Sequence, residues 1–241
     1  MNNIYKSQFK LPVSLADNNG RLSIPSVFYL CCDLATYHAA ELKVGLDILG
    51  PKGLFWLAVK TKIKIHRLPS MMENIEAITW PEAPNRIRCN RYYAIKSGEE
   101  LLIEGKTEWA VIDINTNRLQ KVEGIYPEEL VHLEDTVCDE PYEKFNLDFK
   151  DGKDFGSYTV KSTDIDVGNH MNNAAYARAF ISLFTCEEIN KMNIKEVEIT
   201  YKAPCFEGEN LTVKRIDTED AIYLAMLHND SSLASAIKLT F

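Results

Sequence analysis

Apolar residues recur along the chain with two different periods. In LSIPSVFYLCCDLATYHAAELKVGL, Val27, Leu30, Cys31, Leu34, Ala35, His38 and Leu42 fall at three- and four-residue spacings, the rhythm of a helix with one buried face. Ser23 suits its N-cap and Pro25 its first turn. The rhythm returns in NNAAYARAFISLFTCEEIN at Tyr176, Ala179, Phe180, Leu183 and Phe184, behind Asn172 or Asn173 as cap. Elsewhere the period is two. FWLAVKTKIKIHRL sets Leu57, Val59, Thr61, Ile63 and Ile65 against Ala58, Lys60, Lys62, Lys64 and His66, which predicts a half-buried strand with a solvated lysine face. NIEAITW, NRIRCNRYYAIK and ELLIEGKTEWAVIDINTNRL continue as strands, with turns at Ser97-Gly98 and Asn115-Thr116-Asn117. KEVEITYKAP, ENLTVKRID, AIYLAMLH and SLASAIKLTF repeat the series.

Each half thus reads as strand, helix and several antiparallel strands, an α+β duplication. Between the halves, GIYPEELVHLEDTVCDEPYEKFNLDFKDGKDFG is acidic, carries prolines and keeps no sustained period, which suits a linker. The expected boundaries are 1–135 for a first domain, 136–152 for the linker and 153–241 for a second domain.

Composition narrows the field. A chain of 241 residues that is 46% hydrophobic is too apolar for disorder. Cys31, Cys32, Cys89, Cys138, Cys186 and Cys205 include no CxxC pair and no His/Cys spacing of a tetrahedral zinc site, so free thiols and no metal are expected. No basic-then-apolar leader opens the sequence, and no apolar run approaches the ~20 residues of a membrane span. A soluble cytoplasmic protein is expected. A net charge of −8 without a Lys/Arg cluster argues against nucleic acid as the ligand.

The chain resembles the acyl-acyl-carrier-protein thioesterases, the plant-type group with bacterial relatives. The resemblance is carried by LPVSLADNNGRLSIPSVFYLCCDLATYHAAELKVG, the tryptophan of LFWLAVKTKIKIHRLPSMMENIEAITWP, GKTEWAVIDINTNRLQKV, STDIDVGNHMNNAAY and VEITYKAPCFEGENLTV. It implies two tandem hot-dog domains, each a curved antiparallel sheet wrapped around one long helix. The first would supply an acyl-chain tunnel and the second the catalytic loop. The implied reaction is hydrolysis of acyl-acyl-carrier-protein thioesters to free fatty acid and carrier thiol, without a cofactor. The implied partners are an acyl-carrier protein and a fatty acyl chain, with a homodimer left open. An acyl-CoA thioesterase and a non-hydrolytic acyl-binding protein of the same fold stand as alternatives.

Asp164, Asp166, His170, Asn172 and Asn173 match the family pattern Asp-x-Asp-x-Asn-x-His-x-Asn-Asn. Gly168 stands at the family's asparagine position, with Asn169 beside it; downstream, Tyr201 and Cys205 match while Pro204 stands where a glutamate would be. Thioester hydrolysis needs an activated water or nucleophile, donors for the oxyanion and a proton for the leaving thiol. Asp166 is expected as general base or nucleophile and His170 as polariser or proton donor. Unpaired N–H groups at the start of the Asn172/Asn173 helix offer an oxyanion site. Asn172 and Asn173 are expected as caps that also meet substrate. A glycine at 168 is expected to let the loop turn differently, so that Asn169 swings into the amide's role. Asp164 reads as loop support and His38 as an interior histidine. Cys205 has three readings: nucleophile, wall of the site or packing residue. Trp56 and Trp80 are the expected substrate contacts in the first domain, joined by Met71 and Met72 as candidates for chain-length selection. Lys60, Lys62, Lys64, Arg67, Arg86, Arg88 and Arg91 supply the positive charge that an acidic carrier would need, although a solvated strand face explains them equally well.

Overall fold

A computed structural model describes residues 2–145 and 148–241. It divides into two compact units: residues up to Ser23 with Leu30–Glu140, and Ile24–Tyr29 with Pro141–Phe241. The first contains β1 (Tyr5–Lys10), most of α1 (Ile24–Glu41), the short α2 (Leu46–Leu49), β2 (Leu54–Ile65), β3 (Asn74–Pro81), β4 (Cys89–Ser97), β5 (Glu100–Asp113) and β6 (Arg118–Gln120). Its strands pair antiparallel in the order β1-β3-β4-β5-β2, with β6 added to β5. The second contains β7 (Lys153–Thr159), α3 (Asn173–Ile181), α4 (Cys186–Met192), β8 (Glu196–Tyr201), β9 (Asn210–Asp217), β10 (Ala221–Leu227) and β11 (Leu233–Thr240). Its order, β7-β9-β10-β11-β8, repeats that of the first strand for strand.

In α1 the expected stripe is the buried one: Val27, Cys31, Leu34, Ala35, His38 and Leu42 are all inside. Burying a Val, Leu or Phe of this kind contributes ~1.5–3 kcal/mol each. The second helical stretch is not continuous as its periodicity suggested. α3 ends at Ile181, and Thr185 starts α4 with a capping box, its hydroxyl accepting from Glu188 N at 3.2 Å while Glu188 accepts from Thr185 N at 2.7 Å. A cap of that quality outcompetes continuation of the apolar rhythm.

β2 departs from simple alternation. A bulge between Ala58 and Lys60 inverts the faces ahead of it, so Leu57 is 38% exposed and Ala58 only 2%. Beyond the bulge Thr61, Ile63 and Ile65 face inward as expected. The lysine face, however, is not solvated: Lys62 is buried opposite the equally buried Lys106. The cause is the acidic segment after Val131, which lies on the outer face of this sheet. Glu140 pairs with Lys64 and accepts from Lys106 Nζ through its carbonyl at 2.8 Å, and Cys138 N donates to Glu104 at 3.0 Å. Leu133 and Val137 pack on Ile78, Trp80, Tyr92 and Ala94. In the second unit the segment continues in the same manner. Glu143 bonds Lys238 at 2.9 Å, its N–H donates to Glu198, and Phe145 meets Tyr223 edge-on. Of the stretch that reads as a linker, the residues from Leu133 to Phe145 form a strap over the sheets' outer faces.

Candidate active site

The loop ahead of α3 is a miniature hairpin. Ile165 and Met171 form its bridge, Asp166 N donates to His170 O at 3.1 Å, and Asn169 N donates to Asp166 O at 3.0 Å. Asn169 closes the turn in the left-handed region at φ +59°. Gly168 is not among the glycines at positive φ; its missing side chain answers a different need. A Cβ there would lie 3.0 Å from Asp166 Oδ1 and from His170 Cε1, so the glycine is the floor over which these two side chains converge. Asp166 Oδ1 accepts from Gly168 N at 2.7 Å and stands 3.9 Å from His170 Nδ1. Both side chains remain partly exposed. A carboxylate with one oxygen fixed and an imidazole beside it can share a water or a carbonyl.

The helix that follows offers less than a bare N-terminus would. Asn172 caps it, its side chain accepting from Ala174 N at 2.8 Å, and Ala175 N bonds Asn172 O at 2.9 Å. Of the first three helical N–H groups, that of Asn173 is left without a partner among the described residues. It is the candidate oxyanion donor.

Asp164 anchors the hairpin from behind. Its buried carboxylate accepts from Tyr158 OH at 2.8 Å and Lys161 N at 2.7 Å and pairs with Arg178 of α3, while its carbonyl accepts from Asn172 N at 2.8 Å. Burial, then the bond to Asp164, pushes the Tyr158 hydroxyl up to about 12, so it stays a donor. Tyr158 and Arg178 escape a sequence reading because each looks like a half-exposed strand or helix residue.

Cys205 meets the hairpin through its backbone, its carbonyl accepting from Met171 N at 2.8 Å, while its side chain is fully buried. Burial pushes the thiol up to about 11, against the opposing effect of the Tyr176 hydroxyl beside it. Ligand-type atoms of Cys205, Glu209 and His228 lie within 4.8 Å of one another. Glu209 is nonetheless engaged in closing the β8–β9 loop, accepting from Phe206 N at 3.2 Å and bonding His228 Nδ1 at 2.5 Å. Glu73 does the same in the first unit, accepting from Ser70 N at 2.8 Å and pairing with Arg67. The duplicated role makes this group a loop clamp.

The expected contacts of the first unit separate. Trp56 lies in the cluster with Ala39, Leu42 and Val44 of the α1 end, its indole donating to Val44 O at 2.8 Å. Trp80 is on the opposite face: its neighbour Thr79 meets Arg91 on the α1 side, whereas Trp80 packs on Tyr92 and donates to Asp135 O of the strap at 2.8 Å. Met71 and Met72 are exposed in the β2–β3 turn, Met72 at φ +68°. Arg91, expected among the docking residues, is buried beneath α1, where Nη1 donates to His38 Nδ1 at 2.9 Å.

The architecture and the loop define a double hot-dog protein with an Asp/His hairpin directly ahead of α3. The acyl-ACP thioesterase N-terminal domain matches residues 2–130 and the acyl-ACP thioesterase C-terminal domain residues 149–238. The chain belongs to the acyl-ACP thioesterase family. It is similar to a chloroplastic oleoyl-acyl carrier protein thioesterase of Coriandrum sativum, 24% identical over 90% of this chain and 64% of that one. A chloroplastic acyl-[acyl-carrier-protein] hydrolase of Cuphea viscosissima is 25% identical over 64% of this chain and 39% of its own length. The chain thus spans 39 to 64% of the length of these curated relatives. Among solved structures, an acyl-ACP thioesterase from Bacteroides thetaiotaomicron superposes with a TM-score of 0.89 at 22% identity, over 99% of this chain and 98% of that one. The 12:0-ACP thioesterase from Umbellularia californica does so at 0.84 and 15%, over 100% and 97%. None of the described helices is long and apolar enough to cross a membrane.

Proposed function

We propose that this protein hydrolyses acyl thioesters carried on an acyl-carrier protein, releasing a fatty acid and the carrier thiol. The observation that carries the reading is the Asp166–His170 pair held over Gly168 at the start of α3, in a chain of this family. Asp166 draws the proton from water with its unfixed carboxylate oxygen; His170 polarises the carbonyl or passes a proton to the departing sulfur. The Asn173 N–H faces the charge that develops on oxygen. Asn172 holds the helix end in place. No cofactor takes part.

Thiol release from a panel of acyl-carrier-protein and acyl-CoA thioesters tests the reading. Turnover of the carrier thioesters is expected, with kcat lowered at least ~100-fold in Asp166→Asn, the low end for loss of a general base. Wild-type Asp166→Asn turnover would move the chemistry elsewhere.

A further inference from the structure

The hairpin that carries Asp166 and His170 occurs twice in this chain. Ala16 and Leu22 bridge as Ile165 and Met171 do. Asp17 N donates to Arg21 O at 2.6 Å and Gly20 N to Asp17 O at 3.0 Å, the same two bonds that close the second hairpin. Asp17 Oδ1 accepts from Asn19 N at 2.8 Å as Asp166 does from Gly168. Ser23 N bonds Leu15 O at 2.9 Å, as Asn172 N bonds Asp164 O, and a helix begins at the next residue in both. Position for position, Asp17 answers Asp166 and Arg21 answers His170. A guanidinium cannot act as base or acid near neutral pH, so the first copy has the shape of the site without its proton chemistry.

The two copies differ behind the hairpin. Where the second has Asp164, Arg178 and Tyr158, the first has Leu15, Tyr29 and Phe9. The same backbone therefore forms without a buried carboxylate and its arginine partner. Taking the Asp164 carboxylate fully out of water is costly and is offset only by its hydrogen bonds and by the half-exposed Arg178, so the fold alone gives no reason to place the charge there. Carboxylate and arginine accompany the copy that holds Asp and His.

We propose that Asp164, Arg178 and Tyr158 are positioning residues that lock the Asp166–His170 hairpin in its reactive geometry, an inference that rests on the hydrolytic reading above. Tyr158 ties Asp164 to β7, Arg178 ties it to α3, and the Asp164 carbonyl ties the start of the hairpin to its end at Asn172. Together they fix the segment from both sides, and a shift of about 1 Å at a reacting group is enough to cost ~100-fold in rate.

The test compares full-length wild type with three variants. Asp164→Asn keeps the shape and removes the charge. Arg178→Lys keeps the charge. The triple variant Tyr158→Phe, Asp164→Leu, Arg178→Tyr installs the side chains of the first copy. Amide hydrogen exchange is read on peptides covering 165–172, with 16–23 as internal control. In Asp164→Asn and the triple variant, exchange in 165–172 is expected to rise at least tenfold while 16–23 is unchanged. Their kcat is expected to fall at least tenfold with KM altered less than threefold, and Arg178→Lys to keep more than a third of wild-type kcat. Unchanged exchange in 165–172, or a kcat within threefold of wild type in Asp164→Asn, overturns the proposal; should the triple variant fail to fold, Asp164→Asn and Arg178→Lys decide it. If wild type hydrolyses no acyl thioester, the hydrolytic reading fails, and the exchange comparison still decides whether these residues hold the hairpin.

Discussion

Asn169 takes, at φ +59°, the left-handed corner that Gly20 takes at φ +70° in the duplicate hairpin. Asn is among the few side chains that tolerate this conformation. The corner therefore accounts for an asparagine there without any part in chemistry, and the side chain points from an exposed position. Asn169→Gly is expected to keep kcat within about twofold, whereas Asn169→Ala is expected to lose ~1 kcal/mol of stability to the strained φ. Urea denaturation with thioester assays separates these outcomes; a tenfold loss of kcat in Asn169→Gly would return the amide to the reaction.

Cys205 is expected to remain a thiol through neutral pH, since burial raises it to about 11 and only the thiolate is strongly nucleophilic. Iodoacetamide at pH 7 should label the exposed Cys186 and leave Cys205 intact until the chain unfolds. Cys205→Ala should retain more than ~10% of activity, because a residue that shapes the site makes no bond. A mass gain of one acyl chain on the peptide containing Cys205 would overturn this.

His38 sets a pH dependence of stability. Its ring is buried, with Arg91 donating to Nδ1 and Nε2 donating to Asn2 O at 3.2 Å, so the neutral tautomer is fixed by its partners. Burial, then the Arg91 charge, lowers it from 6.5 to about 4. The unfolded chain binds a proton below 6.5 that the folded chain refuses until about 4. Stability from this group is thus complete above 6.5 and is lost as pH falls through that window, with a slope of up to ~1.4 kcal/mol per pH unit. His38→Gln should flatten that slope in denaturation series between pH 4 and 7; an unchanged slope would assign the acid sensitivity to other groups.

Carrier docking is expected to use basic residues of the β3–β4 loop and of the chain around β6. Arg86, Arg118 and Lys121 are exposed, and Arg86 O accepts from Val122 N at 2.7 Å, which brings the β3–β4 loop against the chain after β6. Arg86→Glu should lower kcat/KM for acyl-carrier protein at least ~threefold at low salt and leave acyl-CoA turnover nearly unchanged, with the effect fading as ionic strength rises. Lys62→Glu should instead impair folding, because that lysine is buried. Equal losses for both thioesters in Arg86→Glu would remove the docking role.

The sequence made the large features legible where one rule acted alone. The α1 stripe from Val27 to Leu42 follows from periodicity, and the Asn172 cap from side-chain chemistry. Thr185 shows a local signal overriding a longer one, since its capping box with Glu188 breaks a rhythm that runs on through Phe184. Lys62 and Trp80 escaped for another reason. Alternation tells which residues share a face, but not that a distant acidic segment covers the face turned away from the helix. In the candidate site, that Asp166 and His170 can approach one another was readable from their four-residue spacing. The left-handed corner falls to Asn169 and the close approach of side chains to Gly168, because contact with a flanking side chain and the sign of φ both arise only once the turn is closed.

The strap has a consequence for self-association. Stripped of it, the first sheet would present Ile78, Trp80, Tyr92 and Ala94 beside Lys62 and Lys106, a surface at once greasy and cationic. The chain carries its own cover for that surface, apolar where Leu133 and Val137 lie and anionic at Glu140. Exchanging the segment for a glycine–serine run of equal length would leave the connection intact and the surface bare, and such a chain should aggregate. Residues that form neither helix nor strand between Val131 and Glu140 are thereby held to their identities as tightly as those of a core.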